Sequence, residues 1–410
     1  GDDRIEFVPD GDPISGNAWF IGGDGNDILS NPLGASTMYG GTGDDRMTAT
    51  NVALSYGNQG NDHIEIFDGT NAVAYGGQGD DSLDFLEGSA TAYGGQGDDR
   101  VIVGPGDNYL VSGNQGNDSL VLMNSNATMY GGQDNDTLRL EEDGNVLVYG
   151  NKGEDNFDGG QAKSFLRDEN PFVGTVTAYG GQGDDVFRGF ENSSGALYGN
   201  KGDDVYTGLT NFQGTIDAGD GSDVVTDIDD FVGVIVMSEG DDGVAVNGGD
   251  MTIYGNQGDD RIAIHPSDAT MFLERIEVFA GQDNDTMTVF TEGGFGGVVR
   301  LAGNAGIDEF TVKLDTSPGP GLKQELETGG MDVVIADLEI GETLIFDADS
   351  GQYDPNAVEV VDNGSQTQRR FSEDNAMRAP GTSVTVILEN VSSGTAGGWD
   401  SVADIQAAGY

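Results

Sequence analysis

A short acidic turn recurs along most of this 410-residue chain at an almost constant interval. Its pattern is aromatic-Gly-Gly/Asn-x-Gly-Asp/Asn-Asp, followed by an alternating apolar run. Clear copies are Tyr39-Gly40-Gly41-Thr42-Gly43-Asp44-Asp45 and Tyr75-Gly76-Gly77-Gln78-Gly79-Asp80-Asp81. Others begin at Tyr56, Tyr93, Tyr130, Tyr149, Tyr179, Tyr198 and Tyr254, and looser copies at Ile21, Ser112, Asp217, Val236, Phe279 and Ala302. The first starts fall at 21, 39, 56, 75, 93, 112, 130 and 149, in steps of 18, 17, 19, 18, 19, 18 and 19. A fixed period of this length marks a solenoid, in which each unit buries its apolar face only against its neighbours.

Period-two alternation fills the intervals. Asp62 leads to Ile64 and Ile66, Asp81 to Leu83 and Phe85, Asp118 to Leu120 and Leu122, and Asp260 to Ile262 and Ile264. The residues between are polar, so each run reads as a strand with one buried face. A unit of 18 or 19 residues holds two such strands and two turns. The second turn varies (Phe67-Asp68-Gly69-Thr70-Asn71 or Glu141-Glu142-Asp143-Gly144). The expected fold is all-β: a right-handed parallel β-roll or β-solenoid, with coils about 4.8 Å apart. The solenoid is expected over 1–312 and terminal coils with a small β-rich cap over 313–410. Ser317-Pro318-Gly319-Pro320-Gly321 reads as the boundary loop. The interval from Tyr149 to Tyr179 is longer, and residues 158–174 are expected to leave the coil as a loop.

The turns point to calcium. Glycines permit tight left-handed loops and direct carbonyls inward. The final aspartate adds a carboxylate, and stacking sets the next coil's aspartate just above it. The expected ligands are Asp27, Asp45, Asp62, Asp81, Asp99, Asp118, Asp136, Asp155, Asp185, Asp204, Asp223, Asp242, Asp260 and Asp285. The loop glycines Gly23, Gly25, Gly41, Gly43, Gly77, Gly79, Gly95, Gly97, Gly181 and Gly183 are expected to complete the sites. An all-oxygen, flexible ligand set suits calcium better than magnesium. With no cysteine and only His63 and His265, both expected as exposed strand residues, zinc and copper are poorly served. Lys plus Arg is 17 against 72 for Asp plus Glu, a net charge of −55. That charge disfavours nucleic acid and anionic membranes as partners. Roughly a dozen divalent ions would offset nearly half of it. No apolar run reaches the length of a membrane span.

The unit Gly76-Gly77-Gln78-Gly79-Asp80-Asp81-Ser82-Leu83-Asp84 resembles, position by position, the repeat G-G-x-G-x-D-x-U-x of the RTX (repeats-in-toxin, haemolysin-type) family. The resemblance implies a β-roll with calcium between successive turns, and type I secretion to the outside of a Gram-negative bacterium. That family repeats its motif on both edges. Here only every second turn keeps it, so one calcium ladder is expected. The turns at Met237-Ser238-Glu239 and Asn304-Ala305-Gly306-Ile307-Asp308 are expected to be defective. The segment from Gly330 to Phe346 resembles the one that closes RTX arrays. Gly1-Asp2-Asp3-Arg4-Ile5 matches the tail of a unit, so the chain is expected to begin inside a turn.

No His-Glu-x-x-His, P-loop or Gly-x-Ser-x-Gly motif is present, and an enzyme is not expected. The leading expectation is an extracellular, calcium-stabilised structural protein: an S-layer, filament or adhesin subunit at the cell surface. Self-association into a lattice or filament follows from open strand edges. The alternative is the C-terminal RTX portion of a secreted enzyme or toxin whose active domain lies upstream. The tyrosine column is expected to stack structurally, with a cell-surface glycan as its candidate ligand. An ice-binding face would need threonine in the third slot, which holds Gln in Gln59, Gln78, Gln96, Gln115, Gln133, Gln182, Gln257 and Gln282, and threonine only at Thr42.

Overall fold

A computed structural model describes residues 1–6, 18–32, 36–50, 53–160, 172–265, 274–290, 297–314, 331–336, 342–348, 358–362, 366–372 and 383–389. Every regular element among them is a β-strand. The chain forms two compact units, Gly1–Gly208 and Leu209–Tyr410.

In the first unit each coil contributes two strands, and each strand pairs in parallel with its counterpart one coil away. Gly69–Gln78 lies beside Gly88–Gln96, with Tyr75 opposite Tyr93 and Gln78 opposite Gln96. Ser82–Phe85 lies beside Arg100–Val103, with Leu83 opposite Val101. Like therefore stacks on like. The inward residues Ala74, Leu83, Phe85, Ala92, Val101 and Val103 are buried, and their neighbours along each strand face outward. This is the alternation read from sequence, realised as a parallel solenoid.

The aromatic column follows from the same register. Tyr39, Tyr56, Tyr75 and Tyr93 stack with ring centroids 4.9, 5.0 and 5.0 Å apart. Tyr130, Tyr149, Tyr179 and Tyr198 continue it at 5.0, 5.1 and 4.7 Å. Ser112 separates the two runs. Each interior ring has neighbours on both faces, which is the structural stacking expected. Tyr149 and Tyr179 stack although 30 residues separate them, so the longer interval leaves the coil register intact. The loop expected at 158–174 falls largely on 161–171, outside the described residues.

The second edge has its own chemistry. Left-handed φ values occur there at Asn71 (58°), Asn108 (62°), Asn124 (46°) and Asn192 (54°). Asparagine tolerates this region better than other residues with a Cβ. The sequence had offered only variability at this edge.

In the second unit Val224–Glu239, Gly243–Gln257, Glu274–Gln282 and Gly297–Ala305 continue the parallel pattern. Met331–Ile335 and Thr343–Ala348 add to it in parallel. Val358–Asp362, Gln366–Ser372 and Ser383–Glu389 then run antiparallel, and the last of them pairs with Met331–Ile335. These strands fall within 313–410, where terminal coils and a small β-rich cap are expected. The boundary loop at 317–321 lies outside the described residues. His63 and His265 sit on strands but are half-buried rather than exposed, and His265 stacks on Phe290 at 3.9 Å.

Candidate metal centre

Each regular turn is built from six residues. The second and fourth take left-handed φ; in the turn from Gly76 to Asp81 these are Gly77 at 125° and Gly79 at 119°. Where the second residue is not glycine it is nearly always asparagine, as at Asn58 (83°), Asn114 (86°) and Asn151 (81°). All ten loop glycines named from the sequence adopt such angles. The carbonyls of Gly23, Gly25, Gly77 and Gly79 lie against the glycines of the next coil, so these positions also set how closely coils approach.

The sixth residue is the centre of the turn. All fourteen aspartates named from the sequence, and Asp308 with them, are 2 % exposed or less. Within each unit, one carboxylate oxygen is held by a backbone N–H of the preceding coil. The backbone N–H of Asp27 donates to Asp45 Oδ1 at 2.7 Å, that of Asp45 to Asp62 Oδ1 at 2.8 Å, and that of Asp62 to Asp81 Oδ1 at 2.7 Å. The column continues through Asp99, Asp118, Asp136 and Asp155 to Asp185, whose own N–H donates to Asp204 Oδ1. In the second unit Asp223, Asp242, Asp260, Asp285 and Asp308 form the same chain at 2.7 to 3.0 Å.

The other oxygen is left over. Oδ2 of Asp27, Asp45, Asp62, Asp81, Asp99, Asp118, Asp136, Asp155, Asp185, Asp260 and Asp285 is buried without a hydrogen-bond partner. A buried charge without compensation is strongly unfavourable. Its effect shows in the proton affinities. Burial, opposed by the backbone hydrogen bond and reinforced by neighbouring carboxylates, raises Asp62, Asp81, Asp99 and Asp118 from 3.8 to about 7. Asp136 and Asp185 rise to about 8 and Asp155 to about 6. The turn therefore holds a column of carboxylates that need either a proton or a cation.

The first residue of the turn supplies room for the cation. A Cβ on Gly40 would collide with Asp45 Oδ2 and would stand 2.9 Å from the carbonyl oxygen of Gly57, one coil on. Gly76 has the same surroundings, Asp81 Oδ2 and the Gly94 carbonyl oxygen. A carboxylate oxygen and a carbonyl oxygen from adjacent coils thus face one small space. No group of three or more His, Cys, Asp or Glu side chains able to hold a metal occurs among the described residues. The ligand field available is one carboxylate per coil with backbone carbonyls. Such hard, adaptable oxygen donors fit calcium. These first-position glycines were not among the site residues named from sequence. The signal was present: the slot reads Gly in every turn except those of Ala218, Met237 and Ala280.

The fifth residue forms a second ladder, running the opposite way. The N–H of Asp44 donates to Asn26 Oδ1, that of Asn61 to Asp44 Oδ1, that of Asp80 to Asn61 Oδ1, and that of Asp98 to Asp80 Oδ1, all at 2.9 Å. This ladder is exposed. The turn ending in Asp308, expected to be defective, keeps the inner hydrogen bond from Asp285. Its fifth residue, Ile307, offers no side-chain oxygen and is 64 % exposed.

Fold and turns together define a parallel β-solenoid organised around a buried acidic column along one edge. The RTX calcium-binding nonapeptide repeat (4 copies) matches residues 14–30, 33–51, 86–120, 110–138 and 142–163. Over these residues the chain carries RTX calcium-binding repeats, the family that its turn motif resembles. Among solved structures it is similar to a hyperactive, Ca2+-dependent, beta-helical antifreeze protein from an Antarctic bacterium. The identity is 19 %, the TM-score 0.43, and the match covers 76 % of this chain and 84 % of that one. No curated protein matches the chain. No helix among the described residues is long and apolar enough to cross a membrane.

Proposed function

We propose that this chain is an extracellular structural element, made rigid by roughly a dozen calcium ions along one edge. It would serve as a subunit or stalk of a bacterial surface layer, filament or adhesin, and would act without catalysis. The observation that carries the reading is the repetition of one device: a fully buried aspartate with an orphaned oxygen, at the same register in coil after coil. Bound calcium supplies the positive charge that lets these carboxylates ionise inside the turn. The chain's own residues do the rest. Oδ1 fixes the carboxylate to the preceding coil, the first glycine leaves space beside Oδ2, and the left-handed residues bring the coils together. Calcium outside bacterial cells is abundant enough to load sites of modest affinity, so a chain of this kind would become rigid only after export. Self-association is proposed through strand edges at the ends of the coil stack, and a surface glycan remains a candidate partner.

Electron microscopy of the purified chain, with millimolar calcium and with EGTA, tests the structural role. Calcium-dependent filaments or lattices are the expected result. Monodisperse particles under both conditions would count against it.

A further inference from the structure

Three turns of the second unit break the rule of the first position. Backbone pairing sets Ala218 beside Met237, Met237 beside Gly255, and Gly255 beside Ala280. Ala218, Met237 and Ala280 are each 0 % exposed. A Cβ at this position falls beside the turn's own Asp Oδ2, as at Gly40, Gly76 and Gly255. These three turns therefore fill with a side chain the space that the glycine turns leave beside the carboxylate.

The backbone responds in two of them. In the turns before Gly303 whose first and fourth residues are both Gly, the fourth has φ between 111° at Gly43 and 125° at Gly153; Gly306, in the Gly303 turn, lies outside that range. It opens to 148° at Gly221, in the Ala218 turn, and to 142° at Gly240, in the Met237 turn. The inward residue two places earlier is Ile216, Ile235 and Val278 in the three turns, all fully buried. In the first unit the same inward position ranges from Ala74, Ala92 and Ala178 to Met38, Met129 and Leu197.

We infer that the turns of Ala218, Met237 and Ala280 are closed to calcium, and that apolar packing replaces the ion there. The backbone N–H groups of Asp223, Asp242 and Asp285 still donate to the Oδ1 of the next coil's aspartate, the hydrogen bond that sets coil register, without a cation beside their own Oδ2. The calcium column is thus continuous through the first unit, and in the second unit Gly255 stands between closed turns. A calcium ion needs six or more oxygen donors, and a methyl or thioether in its immediate surroundings takes a donor's place.

The inference rests on the calcium reading, and one experiment separates the two. The full chain is stripped with EGTA and dialysed to equilibrium against millimolar calcium. Bound ions per chain are then counted by elemental mass spectrometry, for the wild type and for Ala218→Gly, Met237→Gly, Ala280→Gly and the triple variant. Each single variant is expected to gain about one ion and the triple variant about three, because each opens one oxygen-lined space. The reciprocal variant, Gly94→Ala, is expected to lose about one. Unchanged counts with a calcium-loaded wild type overturn the inference alone. A wild type that binds no calcium overturns the calcium reading as well. Should Met237→Gly fail to fold, Ala218→Gly and Ala280→Gly, which remove only a methyl group, decide the outcome.

Discussion

Chelation should reverse the sign of this protein's pH response. In the first unit Asp62, Asp81, Asp99, Asp118, Asp136, Asp155 and Asp185 all lie between about 6 and about 8 when no cation is bound. In the unfolded chain each returns to about 3.9. A folded-state value above the unfolded one means that folding takes up protons. The resulting stabilisation is complete below about pH 4 and disappears as pH climbs through the interval from about 6 to about 8. Taken singly, a rise from 3.8 to about 7 corresponds to roughly 4 kcal/mol. Sharing among coupled neighbours and screening by water at the exposed edge reduce this to about 1 kcal/mol per rung. Seven rungs then contribute about 7 kcal/mol, comparable with the whole stability of a typical domain. For a unit of this size the shift in Tm is roughly 15–25 °C.

Calcium inverts the dependence, because it competes with protons for the ionised carboxylates. Thermal melts followed by circular dichroism between about pH 5 and pH 8.5 measure both limbs. In EGTA, Tm should fall as pH rises. In excess calcium it should rise. Slopes of the same sign with and without calcium would refute the buried-column argument.

Single substitutions divide the turn into its parts. Asp99→Asn keeps an acceptor for the N–H of Asp81 but removes the charge, so calcium binding should drop while metal-free stability rises by about 1 kcal/mol; calorimetric titration and melts in EGTA check both. Asp99→Ala loses the acceptor as well and should be about 1–3 kcal/mol less stable than Asp99→Asn in EGTA, measured by urea denaturation. Gly95→Ala, at φ 132°, should be far more damaging than Gly95→Asn, since asparagine already fills that slot in other turns; Tm in calcium reports the difference. Tyr75→Ala removes stacking on two faces and should lower stability by about 1–3 kcal/mol with calcium stoichiometry unchanged, as equilibrium dialysis would show. Hydrogen exchange in EGTA should show protection lost first in the strands of the first unit, such as Gly88–Gln96, and kept longer in Val224–Glu239 and Gly243–Gln257.

Much of this was legible before any coordinates. The period fixed the coil, and alternation such as Leu83 and Phe85 after Asp81 fixed which face is inside. The invariant sixth aspartate marked the edge where the charge collects. Three things were not legible, because each depends on contact between coils. The first glycine matters through a carboxylate five residues on and a carbonyl in the next coil, a relation that no local spacing displays. The fifth position exchanges Asn26, Asp44, Asn61 and Asp80 freely, since only a side-chain oxygen is required; that alternation is the trace of the second ladder. The opposite edge looked merely variable because its left-handed residues, such as Asn71 and Asn108, are set by a turn whose length changes from coil to coil.

Anomalous scattering from a crystal grown in calcium would locate the ions outright. The account predicts a row of peaks inside the turns, one coil spacing apart, each beside the Oδ2 of a buried aspartate such as Asp81 or Asp99. Peaks lying only against the exposed ladder of Asp44, Asp80 and Asp98, or no ordered peaks along this edge, would contradict it.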